Sequence, residues 1–224
     1  MVLESLMGGV DAEEKPYKVF LLGILYATVA IFLSLWIFRS ESSLVLVFLT
    51  VLASLPLVYA TLRLEANKTT KEKTELKLMK QHWSGIKLFI YLFMGYVIAM
   101  SVAYIILPTA VVGDLFSSQV ATIQSINSDI ANNGASGGLT STDFFSIIVM
   151  NNFRVLFFCV FFSFFFGAGA IFILTWNASV IAAAVGSYVR NGIASYATVV
   201  GFTKIATYFQ LFVLGTLRYM THGI

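Results

Sequence analysis

The stretch that decides the fold covers residues 155–177, VLFFCVFFSFFFGAGAIFILTWN, the most apolar part of the chain. It carries no charged side chain, and the uncharged run continues to residue 189, just before Arg190. As one straight helix, residues 155–189 would measure about 50 Å, whereas the hydrocarbon core of a bilayer is about 30 Å thick. We therefore expect a membrane segment that breaks along its length.

Two places in this run are candidates for the break. Gly167-Ala168-Gly169 is a small-residue hinge, and Thr175-Trp176-Asn177 is the preferred site because Asn177 can cap a following helix over residues 178–189. That helix is too short to span a bilayer, so it is either re-entrant or part of a tilted, broken segment. A last helical stretch is expected over residues 193–219.

The whole composition agrees with a membrane protein. Of 224 residues, 58% are hydrophobic and 11% charged, whereas a soluble domain carries about 25% charged residues. Three further uncharged runs cover residues 19–38, 44–62 and 88–107, the last closed by Pro108. No signal-peptide cleavage site follows the first run, which is read as an uncleaved anchor. The sequence predicts an all-α, polytopic transmembrane helical bundle with broken or re-entrant helices.

The distribution of cations predicts the topology. Residues 63–87 contain seven Lys and Arg, whereas residues 108–152 contain none. Because Lys and Arg mark cytoplasmic loops, we expect a multi-pass protein of the cell membrane with a cytoplasmic N-terminus. The expected segments are a cytoplasmic N-terminal segment (1–18), a two-helix transmembrane hairpin (19–62), a basic cytoplasmic loop (63–87), a third transmembrane helix (88–107), an extracellular loop (108–142) and broken transmembrane helices (143–224).

The extracellular loop contains a helical pattern. Apolar side chains recur at three- and four-residue steps between residues 115 and 131, namely at Phe116, Val120, Ile123, Ile126 and Ile130. This spacing predicts an amphipathic helix that lies on the bilayer or on the protein.

Polar side chains at the mouth of the Phe-rich run are candidates for a binding site. Asn151, Asn152 and Arg154 form MNNFRV with their neighbours, and we predict a helix-breaking polar knot there. Arg154 either extends outward to the head groups or bonds to a neighbouring segment inside the protein. The two asparagines either join helices and fill a kink or line a polar cavity or partner site. Asn177 and His222 complete the candidate binding residues.

The sequence offers no constellation typical of catalysis. There is no P-loop, GxGxxG, HExxH or Ser/His/Asp grouping, and the three acids after Pro108 (Asp114, Asp129, Asp143) are far apart in sequence. We therefore expect no catalytic residues, no metal ligands, no cofactor and no enzymatic activity. A net charge of +3 gives no indication of nucleic-acid binding. The expected partners are the lipid bilayer and other proteins, or further copies of the chain.

From residue 150 onward the chain resembles the stage II sporulation protein M family of integral membrane proteins, in its archaeal branch. The resemblance rests on an ordered set of features: an Asn pair heading an apolar helix, a small-residue hinge, a following Asn and a small-residue helix ending in Gly, here Asn151-Asn152, Gly167-Ala168-Gly169, Asn177 and Gly186. It is clearest over residues 143–224, the expected family core. The family continues past a His-Gly pair, here His222-Gly223, into a further span, so the resemblance implies a chain truncated at its C-terminus.

The resemblance implies a scaffold function. The bacterial member holds peptidoglycan-degrading enzymes at the engulfing membrane and has no catalytic residues of its own. Archaea generally lack that peptidoglycan, so the assembly role carries over and those partners do not. The alternative is a channel or transporter with a polar site at broken helices around Asn151, Asn152 and Asn177. A third hypothesis is a lipid-handling protein, motivated by the basic segment.

Overall fold

The regular structure is helical throughout the part of the chain that is described. The computed structural model describes residues 15–69, 75–135 and 169–195, together with positions 149, 150, 153, 157 and 213. Its main helices are α1 (Pro16–Ile37), α2 (Ser42–Thr69), α3 (Glu75–Ile106), α4 (Thr109–Leu115), α5 (Ser117–Ala135) and α6 (Gly169–Ser195). A single turn of 3-10 helix, Arg39–Glu41, joins α1 to α2. The predicted all-α class is confirmed.

Four helices among the described residues are long and apolar enough to cross a membrane, which makes the chain a multi-pass membrane protein. Their apolar parts are Pro16–Ile37, Arg39–Leu64, Gly85–Ile106 and Gly169–Gly192. The first three coincide with the uncharged runs of the sequence. α1 begins with Pro16 at its first turn, where the missing N–H costs nothing. α3 ends two residues before Pro108, which cannot continue a helix.

The basic segment 63–87 is helical in its described part, where a loop is expected from the sequence. α2 continues to Thr69 and α3 begins at Glu75, so only residues 70–74 separate the two helices. Lys, Glu, Leu and Arg are strong helix formers, and no Pro or Gly occurs between residues 63 and 84. The end of an uncharged run marks where a helix leaves the lipid, and the helix itself extends further.

The predicted break at Asn177 is also wrong. α6 runs without interruption through Asn177, from Gly169 to Ser195. A single Asn in a helix costs at most about 0.7 kcal/mol relative to Ala, far less than Pro, so neighbouring packing overrides its preference for a cap. The apolar part of α6 has 24 residues and matches the bilayer without a break. The other candidate for the break, Gly167-Ala168-Gly169, falls at the beginning of α6, and its first two residues lie outside the described part.

α1 and α3 come into close backbone contact at a pair of glycines. A Cβ atom added to Gly95 would lie 2.5 Å from the carbonyl oxygen of Phe20, and one added to Gly23 would lie 2.8 Å from the carbonyl oxygen of Leu92. The two helices therefore cross with their backbones in contact. Such crossings through small residues drive helix association in membranes, where apolar side chains gain little by leaving lipid for protein.

α6 packs against α3, α2 and α5 through a face of small side chains. Ala178, Ala182 and Ala183 are buried on this face. One turn further along, Gly186 leaves room for the ring of Tyr104, because an added Cβ would lie 2.6 Å from the Cβ of that tyrosine. The small residues thus bring α6 close to α3.

The two ends of the bundle differ in what they contain. At one end, the α4–α5 end, α1 ends, α2 begins and α3 ends, and α4 and α5 pack there against α2. At the opposite end, the cationic end, α1 begins, α2 ends and α3 begins. The amphipathic helix predicted over residues 115–131 corresponds to α5, which begins two residues later, at Ser117, so that Phe116 precedes it. Val120 and Ile123 of its apolar face pack against the core, so this helix lies on the protein.

Candidate functional site

The structure describes only one of the residues that the sequence suggested as a binding site. Asn151, Asn152, Arg154 and His222 lie outside the described residues, so the polar knot at MNNFRV stays a prediction. Asn177 is half-buried in the middle of α6 and makes no side-chain hydrogen bond within the described part of the chain. Asn177 therefore takes no part in the polar contacts described below.

A buried polar cluster joins three helices at the α4–α5 end. The amide of Gln119 on α5 accepts a hydrogen bond from the Ser43 hydroxyl of α2 at 2.7 Å. Its NH₂ group donates to the Ser179 hydroxyl of α6 at 3.1 Å and to the Ser43 carbonyl at 3.4 Å. All three side chains are buried. One glutamine thus fastens α5 to both membrane helices.

Ser43 also caps α5 from another helix. The backbone N–H of Ser118, in the first turn of α5, donates to the Ser43 hydroxyl at 3.1 Å. The first N–H groups of a helix have no partner within that helix, and an N-cap side chain normally comes from the residue just before it. Here the capping hydroxyl lies 75 residues earlier in the chain. The start of α5 is therefore fixed to α2 by backbone as well as side-chain hydrogen bonds.

Arg190 of α6 likewise caps a helix to which it does not belong, at the end of α3. Its Nη1 donates to the carbonyl oxygen of Tyr104 at 2.9 Å, and its Nη2 donates to the Thr109 hydroxyl at 3.0 Å. In a continuous helix the N–H of residue 108 would bond to the Tyr104 carbonyl, but Pro108 has no N–H. Arg190 on α6 replaces the missing donor. It also connects α6 to the beginning of α4.

Aromatic and ionic contacts complete this end of the bundle. The rings of Tyr104 and Phe116 pack with centroids 5.1 Å apart, and Phe116 is fully buried between α4 and α5. Arg39, after α1, forms a salt bridge with Asp114 of α4 at 3.2 Å. Both charged groups are well exposed, so this pair contributes little, on the order of 1 kcal/mol or less. The buried contacts hold α4 and α5 in place.

The groups in this cluster are suited to holding helices together by hydrogen bonds. Its donors and acceptors are hydroxyls, one amide and backbone groups, and they are satisfied mainly by one another. Elsewhere in the spans, buried hydroxyls bond to a carbonyl one turn earlier in their own helix, as for Thr50, Thr61 and Thr175. Such groups stabilise packing and are poor nucleophiles or bases at neutral pH.

The sequence did not single out these residues, although one signal was present. Gln119 lies between Phe116 and Ile123 on the apolar face of the predicted amphipathic helix, so a polar side chain occupied a core position. Ser43 and Ser179 had no such signal, because small hydroxyl residues are common on packed membrane helices. The role of Arg190 depends on which carbonyl lies beside it, which only the fold reveals.

Comparisons with known proteins do not extend these observations. No family model matches the chain, and no curated protein or solved structure matches it.

Proposed function

We propose that this protein is a non-enzymatic membrane scaffold or assembly factor, the role implied by its resemblance to the stage II sporulation protein M family. One observation carries the proposal. The buried cluster of Ser43, Gln119 and Ser179 fastens α5 to two membrane helices, so that α5 forms a fixed platform at one end of the bundle. A helix that served only as a linker would need no buried hydrogen bonds of this kind.

The platform offers a polar surface to a partner. Within residues 117–128 of α5, whose side chains are described, the exposed ones include the uncharged polar groups of Gln124, Ser125, Asn127 and Ser128. Uncharged amides and hydroxyls suit a protein contact made by hydrogen bonds, with the apolar face already used against the core. We place this surface on the extracellular side and the N-terminus in the cytoplasm, following the positions of the cations in the sequence.

The alternative, a channel or transporter, has less support. Transport sites in membrane proteins are typically built from broken helices and from ionisable residues inside the membrane. α6 is continuous through Asn177, and the buried polar residues among those described are Ser, Thr and Gln. Most of these residues are bonded to their own helices or to one another, as packing requires, whereas the buried hydroxyls of Ser42, Tyr96 and Ser101 have no hydrogen-bond partner within the described residues.

The proposal is tested by site-specific photo-crosslinking in cells. A photoreactive amino acid is placed at Gln124 or Asn127 on the exposed face of α5. The matched control is the same group at Phe48, an exposed apolar side chain within the membrane span of α2. We expect both α5 positions to crosslink to the same protein and Phe48 to crosslink to none.

A flux assay distinguishes the alternative. Purified protein is reconstituted into liposomes loaded with K⁺ or with a small anionic dye. A scaffold predicts release no faster than from protein-free liposomes. Protein-dependent release, together with an absence of crosslinks from α5, would support the channel or transporter instead.

A further inference from the structure

The cations at the two ends of the bundle are used differently. At the α4–α5 end, Arg39 pairs with Asp114, and Arg190 bonds to a carbonyl and a hydroxyl. At the cationic end, the exposed side chains of Lys15, Arg63 and Lys87 have no ion pair or hydrogen bond within the part of the chain that the structure describes. Free cations on three adjacent helices are available to an external ligand.

These three cations lie at nearly the same depth. At 1.5 Å per residue, Lys15 lies about 33 Å along α1 from Ile37, and Lys87 lies about 29 Å along α3 from Ile106. Arg63 lies about 32 Å along α2 from Ser42. Because the three counts start from the same end of the bundle, the three side chains form a belt at one level. Lys18, also exposed, lies one turn of α1 further into the membrane.

Exposed aromatic side chains accompany this belt. Tyr17 on α1, Tyr59 on α2 and Trp83 on α3 are 58%, 72% and 52% exposed. Each lies within about one turn of the cation on its own helix, and each lies inside or within two residues of the apolar span of that helix. Tyr and Trp concentrate where hydrocarbon meets head groups, because their rings are apolar and their tips polar. The belt therefore lies at the level of the phosphates.

We propose that Lys15, Arg63 and Lys87, flanked by Tyr17, Tyr59 and Trp83, form a binding belt for anionic phospholipid head groups. Ammonium and guanidinium groups bind phosphate oxygens, and each Lys or Arg near an anionic surface favours binding on the order of fivefold. A lipid fits better than a soluble acidic protein, because the aromatics and the apolar faces next to the belt are covered by acyl chains. The proposed lipid binding is the same whichever side of the membrane the belt faces.

The test uses quenching of tryptophan fluorescence by brominated lipids in bilayers that contain the full chain. The protein has three tryptophans, so Trp36→Phe with Trp176→Phe leaves Trp83 as the reporter at the belt. Trp83→Phe with Trp176→Phe leaves Trp36, which reports on the opposite end. Quenching by brominated phosphatidylglycerol is compared with quenching by brominated phosphatidylcholine, which gives the relative binding constant of the two lipids at each reporter.

We expect phosphatidylglycerol to be preferred on the order of fivefold or more at Trp83 and not at Trp36. Changing Lys15, Arg63 and Lys87 together to Gln should reduce the preference at least severalfold, and 0.5 M salt should also reduce it. These residues are exposed, so the variant should fold, and quenching by phosphatidylcholine should be unchanged. Equal binding of the two lipids at Trp83, an equal preference at Trp36, or a preference that is undiminished in the Gln variant would each overturn the proposal.

Discussion

Gly95→Ala tests the close crossing of α1 and α3. The added Cβ would lie 2.5 Å from the Phe20 carbonyl oxygen and 3.0 Å from both the Gly23 Cα and the Ile24 nitrogen. These are backbone atoms and cannot rotate away. Comfortable contacts are about 3.5–4.0 Å, so the two helices must separate by roughly 1 Å at the crossing.

The expected cost follows from two opposing effects. Overpacking of a tight interface typically costs about 1–3 kcal/mol, while replacing Gly by Ala in a helix gains up to about 1 kcal/mol. We expect a net loss of about 1–2 kcal/mol in the free energy of unfolding, measured by thermal or denaturant unfolding in detergent. Gly23→Ala, whose Cβ would lie 2.8 Å from the Leu92 carbonyl oxygen, should cost a similar amount.

The matched control is Gly113→Ala in α4. This glycine is also helical, but an added Cβ meets nothing within 4 Å, so the variant should be neutral or slightly stabilised. The double variant Gly23→Ala with Gly95→Ala should lose less than the sum of the single losses, because both open the same contact. If Gly95→Ala were as stable as Gly113→Ala, the backbone contact between α1 and α3 would be refuted.

Three further changes test the other contacts, each by unfolding in detergent. Gln119→Leu leaves the buried Ser43 hydroxyl without its acceptor and should cost about 1–3 kcal/mol; an unchanged stability would exclude the cluster as a fastening. Arg190→Leu should also cost about 1–3 kcal/mol, since the Tyr104 carbonyl loses its donor. Arg190→Lys should recover only part of this, because an ammonium group lacks the fork that reaches both acceptors. Asn177→Ala should be neutral or stabilising by up to about 0.7 kcal/mol; a loss above 1 kcal/mol would restore its interpretation as a helix cap.

The sequence predicts the membrane spans well because their physical cause is local. A run of about 20 apolar residues has to be helical in lipid, where every backbone group needs a partner within its own segment. The first three runs therefore correspond to α1, α2 and α3. The spacing of Phe116, Val120 and Ile123 likewise predicts α5. The apolar face of a helix depends only on the order of apolar and polar residues within that helix, so it can be read from the local sequence.

The sequence predictions fail where contacts between residues far apart in the chain determine the structure. Asn177 has the preference of a cap, but the buried alanine face around Ala178 and Ala182 keeps α6 continuous. The caps that do exist at the α4–α5 end connect Ser43 to Ser118 and Arg190 to Tyr104, across 75 and 86 residues. No local pattern encodes contacts between residues so far apart. The candidate site could therefore be predicted only as far as Gln119, a polar residue on an apolar face.

The central claim is that α5 is a fixed platform, and amide hydrogen exchange of the full chain in bilayer nanodiscs tests it most directly. The account predicts that the amides of α5 near Gln119 exchange as slowly as those of α2 next to Ser43. In Gln119→Leu, α5 should exchange faster while α1 and α3 keep their protection, because only the fastening is lost. Rapid exchange of α5 in the wild-type protein, or equal protection in the variant, would contradict the account.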